Sequence, residues 1–278
     1  MDYLSKLEQK AVDLRVDILD IINAGKNGHI GGDMSVLEIL MILYMKRMHV
    51  SPESVDNPNR DRFILSKGHC VEAYLAVLAA VGFIDKKDVL ETYCKVGSKY
   101  IGHPNNKVPG IEMNSGSLGH GLPVAVGMAL AAKMKHMDFR TYVVMGDGEL
   151  AEGSVWEALM AANQYHLDNL CAVVDRNYLQ ISGCTEDIMA LENLHDRFTS
   201  FGWNVIEVEN GNSLAALDAA FEQAEAFKGR PSVLIAHTVK GYGSSIMENK
   251  ASWHHHIPSP EEYAVIVNDL MRKKEELL

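Results

Sequence analysis

The stretch Thr141–Ile181 constrains the fold more than any other part of the chain. It opens with a short β-rich apolar run, Thr141–Met145, which leads into the glycine-flanked Asp147. Apolar residues then recur near helical spacing until a second β-rich run, Leu170–Val174, which ends in a polar turn containing Asn177. Strand, helix and strand in this order are typical of a right-handed crossover between parallel strands. We therefore expect Asp147 and Asn177 to lie at the same edge of one sheet, where open α/β sheets bind ligands.

The side chains expected at that edge suit a magnesium ion that holds a diphosphate. Mg²⁺ prefers oxygen ligands and shares its coordination with phosphate and water. Asp147 offers a carboxylate, Asn177 an amide oxygen, and Leu179 a main-chain carbonyl. Gly148 would allow the main chain to approach a phosphate closely. Because Asp-Gly is also a common turn dipeptide, the prediction depends on the complete strand, helix and Asn-bearing turn.

Composition narrows the class of protein. The chain has 278 residues, of which 47% are hydrophobic and 23% charged, as in an ordinary globular protein. The net charge is −11 and no basic stripe is visible, so we expect neither nucleic-acid nor other polyanion binding. No apolar run approaches the ~20 residues of a membrane span, and the polar N-terminus does not resemble a signal peptide. The cysteines lack paired or metal-ligand spacing, which predicts reduced thiols in the cytoplasm: Cys70, Cys94, Cys171 and Cys184.

Strands and helices alternate along the chain, which predicts an α/β fold with a parallel sheet covered by helices on both faces. Ser35 and Glu38 have the spacing of a capping box and predict a helix from Ser35 to about Met48. Ser213 and Ser259 are expected N-caps of later helices. No linker or repeat interrupts the pattern, so we expect residues 1–278 to form a single domain.

Histidines recur in glycine-bounded turns. They are His29 in NGHIGG, His69 in SKGH and His103 in GHP. A turn histidine is most often only solvated, so none of the three indicates function by itself. The glycine-rich loop Gly110–Gly121 can either present N–H groups to a ligand or simply allow close packing. A long irregular segment, His237–Ser259, is more typical of a functional region than of a connector.

In order and context these motifs resemble the N-terminal, diphosphate-binding portion of transketolase. NGHIGG, DRFILSKGH and GHP resemble the three Gly-His turns of that family, and NSGSLGHGL resembles its cofactor loop. GDGELAEG with the Asn177 turn resembles its metal site, and KGYG…SWHH the segment ending in Trp-His-Gly. The sequence departs from the family pattern at Ser117, His120, Arg176 and His255. Arg176 replaces one of two paired asparagines, and His255 stands where the family usually has glycine.

The resemblance implies a thiamine diphosphate-binding fold and a role for each matching residue. Metal ligands would be Asp147, Asn177 and the carbonyl of Leu179. The catalytic residues facing the sugar would be His29, His103 and His254, with imidazole pKa values near neutrality. The residues implied to contact the cofactor are His69, Gly116, Leu118, Gly148, Asn177, Ile181, Lys240 and His254. Among these, Gly116 and Leu118 would meet the aminopyrimidine and Ile181 the thiazolium ring.

The implied activity is transfer of a two-carbon ketol unit from a ketose phosphate to an aldose phosphate, with thiamine diphosphate and Mg²⁺. The family's activating glutamate lies on a separate pyrimidine-binding domain, which we expect a partner chain, the C-terminal transketolase subunit, to supply. Two copies of each chain would give a heterotetramer. Glu152 and Glu157 match family positions at the subunit interface, although carboxylates at a solvated helix N-terminus are an equally good explanation.

Three alternatives stay open at this point. The chain could belong to another split thiamine diphosphate enzyme, either a deoxyxylulose-phosphate-synthase-like enzyme or a 2-oxo-acid dehydrogenase component. It could also be a catalytically silent cofactor-binding subunit. A dinucleotide-binding domain fits less well, because no G-x-G-x-x-G motif follows an early strand.

Overall fold

A computed structural model describes residues 3–277 and contains a five-stranded parallel sheet. The strand order is β1-β2-β3-β7-β6. The strands of this sheet are β1 (Arg62–Leu65), β2 (Thr141–Gly146), β3 (Leu170–Arg176), β6 (Asn204–Val208) and β7 (Ser232–His237). A separate antiparallel hairpin joins β4 (Leu179–Gln180) to β5 (Gly183–Cys184). The central strand β3 is buried along its whole length, as expected for a strand covered on both faces.

Helices cover both faces of the sheet, so the predicted fold class is confirmed. Their bounds are α1 (Tyr3–Gly25), α2 (Ile30–Ile42), α3 (Val71–Ala80), α4 (Lys86–Thr92), α5 (Gly121–Met134), α6 (Gly153–Gln164), α7 (Thr185–Ile188), α8 (Leu194–Ser200), α9 (Leu214–Ala226) and α10 (Pro260–Glu276). One hydrophobic cluster packs α1, α2, α3, α9 and α10 against the sheet. A second cluster packs α5, α6 and α8 against the opposite face.

The register of the sheet brings together the ends of β2, β3 and β7. Gly146 pairs with Asp175, and Arg176 pairs with His237. The turns that follow these three strands therefore emerge side by side, as the crossover pattern predicts. They carry Asp147, Asn177 and, a few residues beyond β7, Lys240.

The expected N-terminal caps are confirmed at two positions and wrong at a third. Ser213 accepts a hydrogen bond from the amide of Ala216, and Ser259 forms a capping box with Glu262, as expected. The prediction that a helix begins at Ser35 is wrong, because α2 begins five residues earlier, at Ile30. Gly31, in the first turn of α2, lets the main chain at Trp253 pack closely against this helix, since a Cβ there would lie 2.6 Å from the carbonyl oxygen of Trp253.

Ser35 consequently lies inside α2, where its hydroxyl serves another purpose. It donates to the carboxylate of Asp175 at 2.6 Å and lies 3.0 Å from the carbonyl oxygen of Gly32. Glu38 does not close a capping box, because its carboxylate forms a buried ion pair with Arg15 at 2.7 Å. Tertiary partners have thus replaced the local hydrogen bonds that the sequence pattern predicts.

Across residues 3–277, none of the helices is both long and apolar enough to cross a membrane.

Candidate active site

A cavity of about 330 Å³ lies at the carboxyl ends of the central strands. All twelve site residues predicted from the sequence line it: His29, His69, His103, Gly116, Leu118, Asp147, Gly148, Asn177, Leu179, Ile181, Lys240 and His254. Four further residues, which sequence reasoning did not identify, complete the lining: Lys67, Gly146, Glu149 and Gln180. The structure therefore brings together residues that are more than 200 positions apart in the chain.

Asp147 anchors one side of the cavity. One carboxylate oxygen accepts a hydrogen bond from the amide of Gly148 at 2.8 Å, and the other accepts from the amide of Tyr178 at 2.6 Å. Burial raises the pKa of Asp147, and the nearby Asp175 carboxylate adds to the rise. A buried carboxylate of this kind gains stability from any cation that approaches it.

The other two predicted metal ligands lie on the turn after β3. The side-chain oxygen of Asn177 accepts a hydrogen bond from the amide of Leu179 at 3.1 Å, which fixes the tight turn. The carbonyl oxygen of Leu179 accepts a hydrogen bond from Lys240 Nζ at 3.2 Å. The three residues thus offer a carboxylate, an amide oxygen and a carbonyl, all of the hard oxygen type that Mg²⁺ takes.

Arg176 supports Asp147 from the side facing away from the cavity. Its guanidinium lies 3.4 Å from the Asp147 carboxylate and donates to Thr185 at 2.8 Å and to Glu186 at 2.6 Å. It also stacks over the ring of Tyr178, with 4.0 Å between the guanidinium carbon and the ring centroid. The arginine that departs from the paired asparagines therefore holds a fixed position within the turn.

Lys67 places a second cation in the cavity wall beside Lys240. Its ammonium forms a buried ion pair with Asp175, which also accepts hydrogen bonds from Ser35 and Thr238. Burial opposes the ionisation of Asp175, but the charge of Lys67 and these hydrogen bonds outweigh it and lower the pKa of that carboxyl. Burial, followed by the positive charge of Lys67, lowers the pKa of Lys240. Two neighbouring ammonium groups of this kind suit a diphosphate.

The predicted histidines form one cluster around His29. The centroid of its ring lies 5.1 Å from that of His69, 5.6 Å from His254 and 6.3 Å from His103. His255, which the sequence resemblance marks as a departure, lies closest of all at 4.7 Å. It is also within 3.4 Å of the side-chain oxygen of Asn27. His255 is therefore part of the rim of the cluster.

The histidines are held in their neutral form, which differs from the near-neutral pKa expected from the sequence. Burial and then the neighbouring histidines and lysines lower the pKa of His29 to about 4. Burial and then Lys240 lower the pKa of His254 to about 3. Burial lowers the pKa of His103, and burial with Lys67 lowers the pKa of His69. Within the described residues, the Nδ1 atoms of His29 and His254 are buried without a hydrogen-bond partner. Buried polar atoms of this kind normally find a partner, and a bound ligand can supply it.

The glycine-rich loop reaches the cavity through Gly116 and Leu118. Gly116 has a φ of +156°, and a Cβ there would lie 3.2 Å from the ring of His103. Ile181 also lines the cavity, and 68% of it is exposed, so its side chain can pack against a ligand. Glu152 and Glu157 are exposed at the start of α6 and lie outside the cavity lining.

Comparison with known proteins identifies the family. Residues 7–266 match the family described as transketolase, thiamine diphosphate binding domain. The chain belongs to the transketolase family. A protein of Phocaeicola vulgatus, named as a subunit of an apulose-4-phosphate transketolase, is 49% identical over 271 residues, which cover 98% of this chain and 96% of the relative. A Clostridium protein named as a 6-deoxy-6-sulfo-D-fructose transketolase subunit is 38% identical and covers 96% of this chain and 97% of its own length.

Longer transketolases share the fold over part of their length. Human transketolase is 38% identical over 252 residues, which are 90% of this chain but 40% of the human protein. The solved transketolase of Leishmania mexicana superposes with a TM-score of 0.87 at 29% identity, over 100% of this chain and 46% of the other. The chain therefore spans less than half the length of these transketolases and nearly the full length of the relatives named as subunits.

Lys67 and Glu149, two of the four cavity residues that the sequence did not identify, lie within the transketolase-like motifs. Lys67 directly precedes the Gly-His turn, and Glu149 directly follows Gly148. Both carry charges, and charged side chains are most often exposed, so a solvated position is the ordinary expectation. Only the fold reveals that Lys67 is 1% exposed and Glu149 2% exposed.

Proposed function

We propose that this chain is the N-terminal subunit of a two-chain transketolase. It would transfer a two-carbon ketol unit from a ketose phosphate to an aldose phosphate. The observation that carries the proposal is that every residue that the transketolase motifs imply to bind metal, cofactor or sugar lines the same cavity. The relatives named as transketolase subunits support the two-chain arrangement, because they match this chain over nearly their whole length.

The oxygen donors fit a magnesium ion. Asp147, Asn177 and the Leu179 carbonyl would hold the ion and leave its other positions for diphosphate and water. Among residues 3–277 no cluster of three or more His, Cys, Asp and Glu side chains suits a metal. A site that relies on one carboxylate therefore needs the negative charge of the diphosphate to complete it.

The lining also fits thiamine diphosphate, which would supply the nucleophilic carbon that attacks the ketose carbonyl. Lys67, Lys240 and His69 would bind the diphosphate. The absence of a side chain at Gly148 would let its main chain approach the diphosphate closely. A Cβ there would also meet the side chain of Gln180 at 3.1 Å. The main chain at Gly116 and Leu118 would bind the aminopyrimidine, and Ile181 would pack on the thiazolium ring.

His29, His103 and His254 would contact the sugar. As neutral imidazoles, they can donate to or accept from sugar hydroxyls and can take up a proton as bases. The unpartnered Nδ1 atoms of His29 and His254 support this assignment. The names of the relatives include apulose-4-phosphate, so a phosphorylated ketose of that kind is the first substrate to test.

The partner chain would carry the pyrimidine-binding domain and its activating glutamate, and two copies of each chain would form a heterotetramer.

We further propose that residues 1–278 form one domain, since both hydrophobic clusters pack on a single sheet. The four cysteines are free thiols, which supports a cytoplasmic location.

An assay of the chain alone and with its partner tests the proposal. The tagged chain would be isolated from its native source to recover the partner, and both would then be purified separately. Two-carbon transfer from apulose 4-phosphate to an aldose phosphate is expected from the mixture with thiamine diphosphate and Mg²⁺, and from neither chain by itself. Full turnover by this chain alone would refute the two-chain arrangement. Cofactor binding without transfer in the mixture would instead indicate a catalytically silent subunit.

A further inference from the structure

Glu149 is a buried carboxylate in the cavity wall for which the proposed function has no role. It lies two residues after Asp147, and only 2% of it is exposed. Three donors converge on it. The amide of Gly119, at 2.8 Å, and the hydroxyl of Ser66 donate to one oxygen, while the amide of Gly146 donates to the other at 3.1 Å.

The three donors come from separate parts of the fold. Ser66 directly follows β1, Gly146 ends β2, and Gly119 belongs to the glycine-rich loop. Glu149 itself lies in the turn Gly148–Ala151 that leads to α6. One carboxylate therefore joins the glycine-rich loop to the strand end that precedes Asp147.

The glycine-rich loop is shaped to reach this carboxylate. Gly119 has a φ of +81°, and a Cβ there would lie 2.6 Å from the Cβ of Glu152. Its carbonyl accepts a hydrogen bond from Ser154 at 2.9 Å. The hydroxyl of Ser66 also accepts a hydrogen bond from the amide of Gly121 at 3.1 Å, so a second point of the loop is tied to the same group.

A carboxylate suits this position because both of its oxygens accept hydrogen bonds here, and all three neighbours are used as donors. A glutamine of the same shape would turn an N–H₂ group toward at least one of these donors. Where the N–H₂ group faces another N–H donor, no hydrogen bond can form between them, and both groups are left unpaired in a buried site. The loop would then be held less firmly.

We propose that Glu149 is a positioning residue that sets the distance between the two halves of the cofactor site. This inference rests on the proposed function, in which Gly116 and Leu118 bind the aminopyrimidine and the Asp147 turn binds the diphosphate. Glu149 ties these two elements to each other directly.

The test compares Glu149→Gln with Ser66→Ala and with a control, Glu209→Gln, in which the same charge is removed from an exposed site. Hydrogen exchange of the amides of residues 114–121 is measured in the chain without cofactor. Thiamine diphosphate affinity is measured by calorimetry in the presence of Mg²⁺. We expect exchange in the loop to rise at least tenfold and cofactor affinity to fall about 10- to 100-fold in Glu149→Gln. Ser66→Ala should show a smaller change in the same direction, and Glu209→Gln should match the wild type.

The outcomes separate this inference from the proposed function. If the wild-type chain, alone and with its partner, binds no thiamine diphosphate, the proposed function fails, while loop exchange still reports whether Glu149 holds the loop. Wild-type binding with unchanged loop exchange and affinity in Glu149→Gln refutes the positioning role. Faster exchange throughout β3 and β7 would show a general structural role and would also refute it. A rise in exchange confined to residues 114–121, together with the loss of thiamine diphosphate affinity, is the result that the proposal requires.

Discussion

The Nζ atom of Lys240 lies 3.2 Å from the carbonyl oxygen of Leu179 and donates a hydrogen bond to it. That carbonyl is also a proposed ligand of magnesium. A metal ion and the lysine therefore compete for the same oxygen unless the lysine turns to another acceptor. The diphosphate would offer such an acceptor, so metal and cofactor are expected to bind together.

The first prediction follows from this competition. Mg²⁺ alone should bind the wild-type chain only weakly, because Lys240 and Arg176 already place positive charge beside the ligands. Lys240→Met should strengthen binding of Mg²⁺ alone and weaken binding of thiamine diphosphate, since the charge repels one and attracts the other. Calorimetry with each ligand separately and with both together measures these effects. Equal Mg²⁺ affinity in the two proteins would contradict the competition.

The second prediction concerns Asp147. Asp147→Ala should weaken Mg²⁺-dependent binding of thiamine diphosphate by about 100-fold or more, because the only charged ligand of the proposed metal site is removed. Asp147→Asn removes the charge with the smallest change in shape, because it retains an oxygen for the hydrogen bond from Tyr178 and loses only the weaker one from the amide of Gly148. It should keep the turn folded and still bind the cofactor poorly. Wild-type affinity in either variant would exclude the proposed ligand set.

The third prediction separates two histidines that lie in one cluster. His103→Ala should lower kcat about 10²- to 10⁴-fold with little change in cofactor affinity, because His103 is assigned to the substrate. His69→Ala should mainly weaken cofactor binding, because His69 lies next to Lys67 in the proposed diphosphate site. Steady-state kinetics at several cofactor concentrations distinguish the two patterns. A loss below tenfold for His103→Ala would indicate that the residue only shapes the loop around Gly116.

The fourth prediction concerns stability and a pair of buried carboxyl groups. Asp33 and Glu72 are both fully buried and in contact, and burial raises the pKa of Asp33 to about 7. The folded chain therefore binds a proton that the unfolded chain releases near the ordinary pKa of 3.8. Stability from this group is present at low pH and falls as the pH rises through this window.

Replacing Asp33 with asparagine tests this linkage. The new side chain would keep an oxygen for the amide of Ala73 and would offer an N–H to Glu72, which has an unpaired oxygen. We expect the Tm of Asp33→Asn to exceed that of the wild type at pH 8 and the difference to shrink toward pH 5. Thermal unfolding across this range provides the measurement. A constant difference between the two proteins would show that the pair does not share a proton.

Much of the fold was predictable because its signals are local. Ser213 and Ser259 cap helices where the sequence indicates, and the crossover around Asp147 forms as its apolar pattern predicts. The prediction for Ser35 failed because its hydroxyl bonds Asp175, a residue 140 positions away. A capping pattern cannot reveal a partner that only the tertiary fold provides.

The site residues also fall into a group that the sequence predicts and a group that it does not. Residues within recognisable motifs, such as His69 and Asn177, were predicted to share a site, and they line one cavity. Lys67 and Glu149 were missed because their importance depends on burial, and burial of a charge is visible only when its partner is known. Asp175 and the Gly119 amide are those partners, and both are remote in sequence.

The strand order has a consequence for how the site is made. The chain passes from β3 to the edge strand β6 and then returns to insert β7 between them. Lys67 follows β1, whereas Lys240 follows β7, so the two ammonium groups come from strands that lie far apart in the chain. Non-local strand pairing of this kind is slow compared with local helix formation. Before β7 is inserted between β3 and β6, a folding chain can already position Lys67 and Asp147, but Lys240 is not yet in place. We therefore expect the ability to hold an anion to appear only after β7 has joined the sheet.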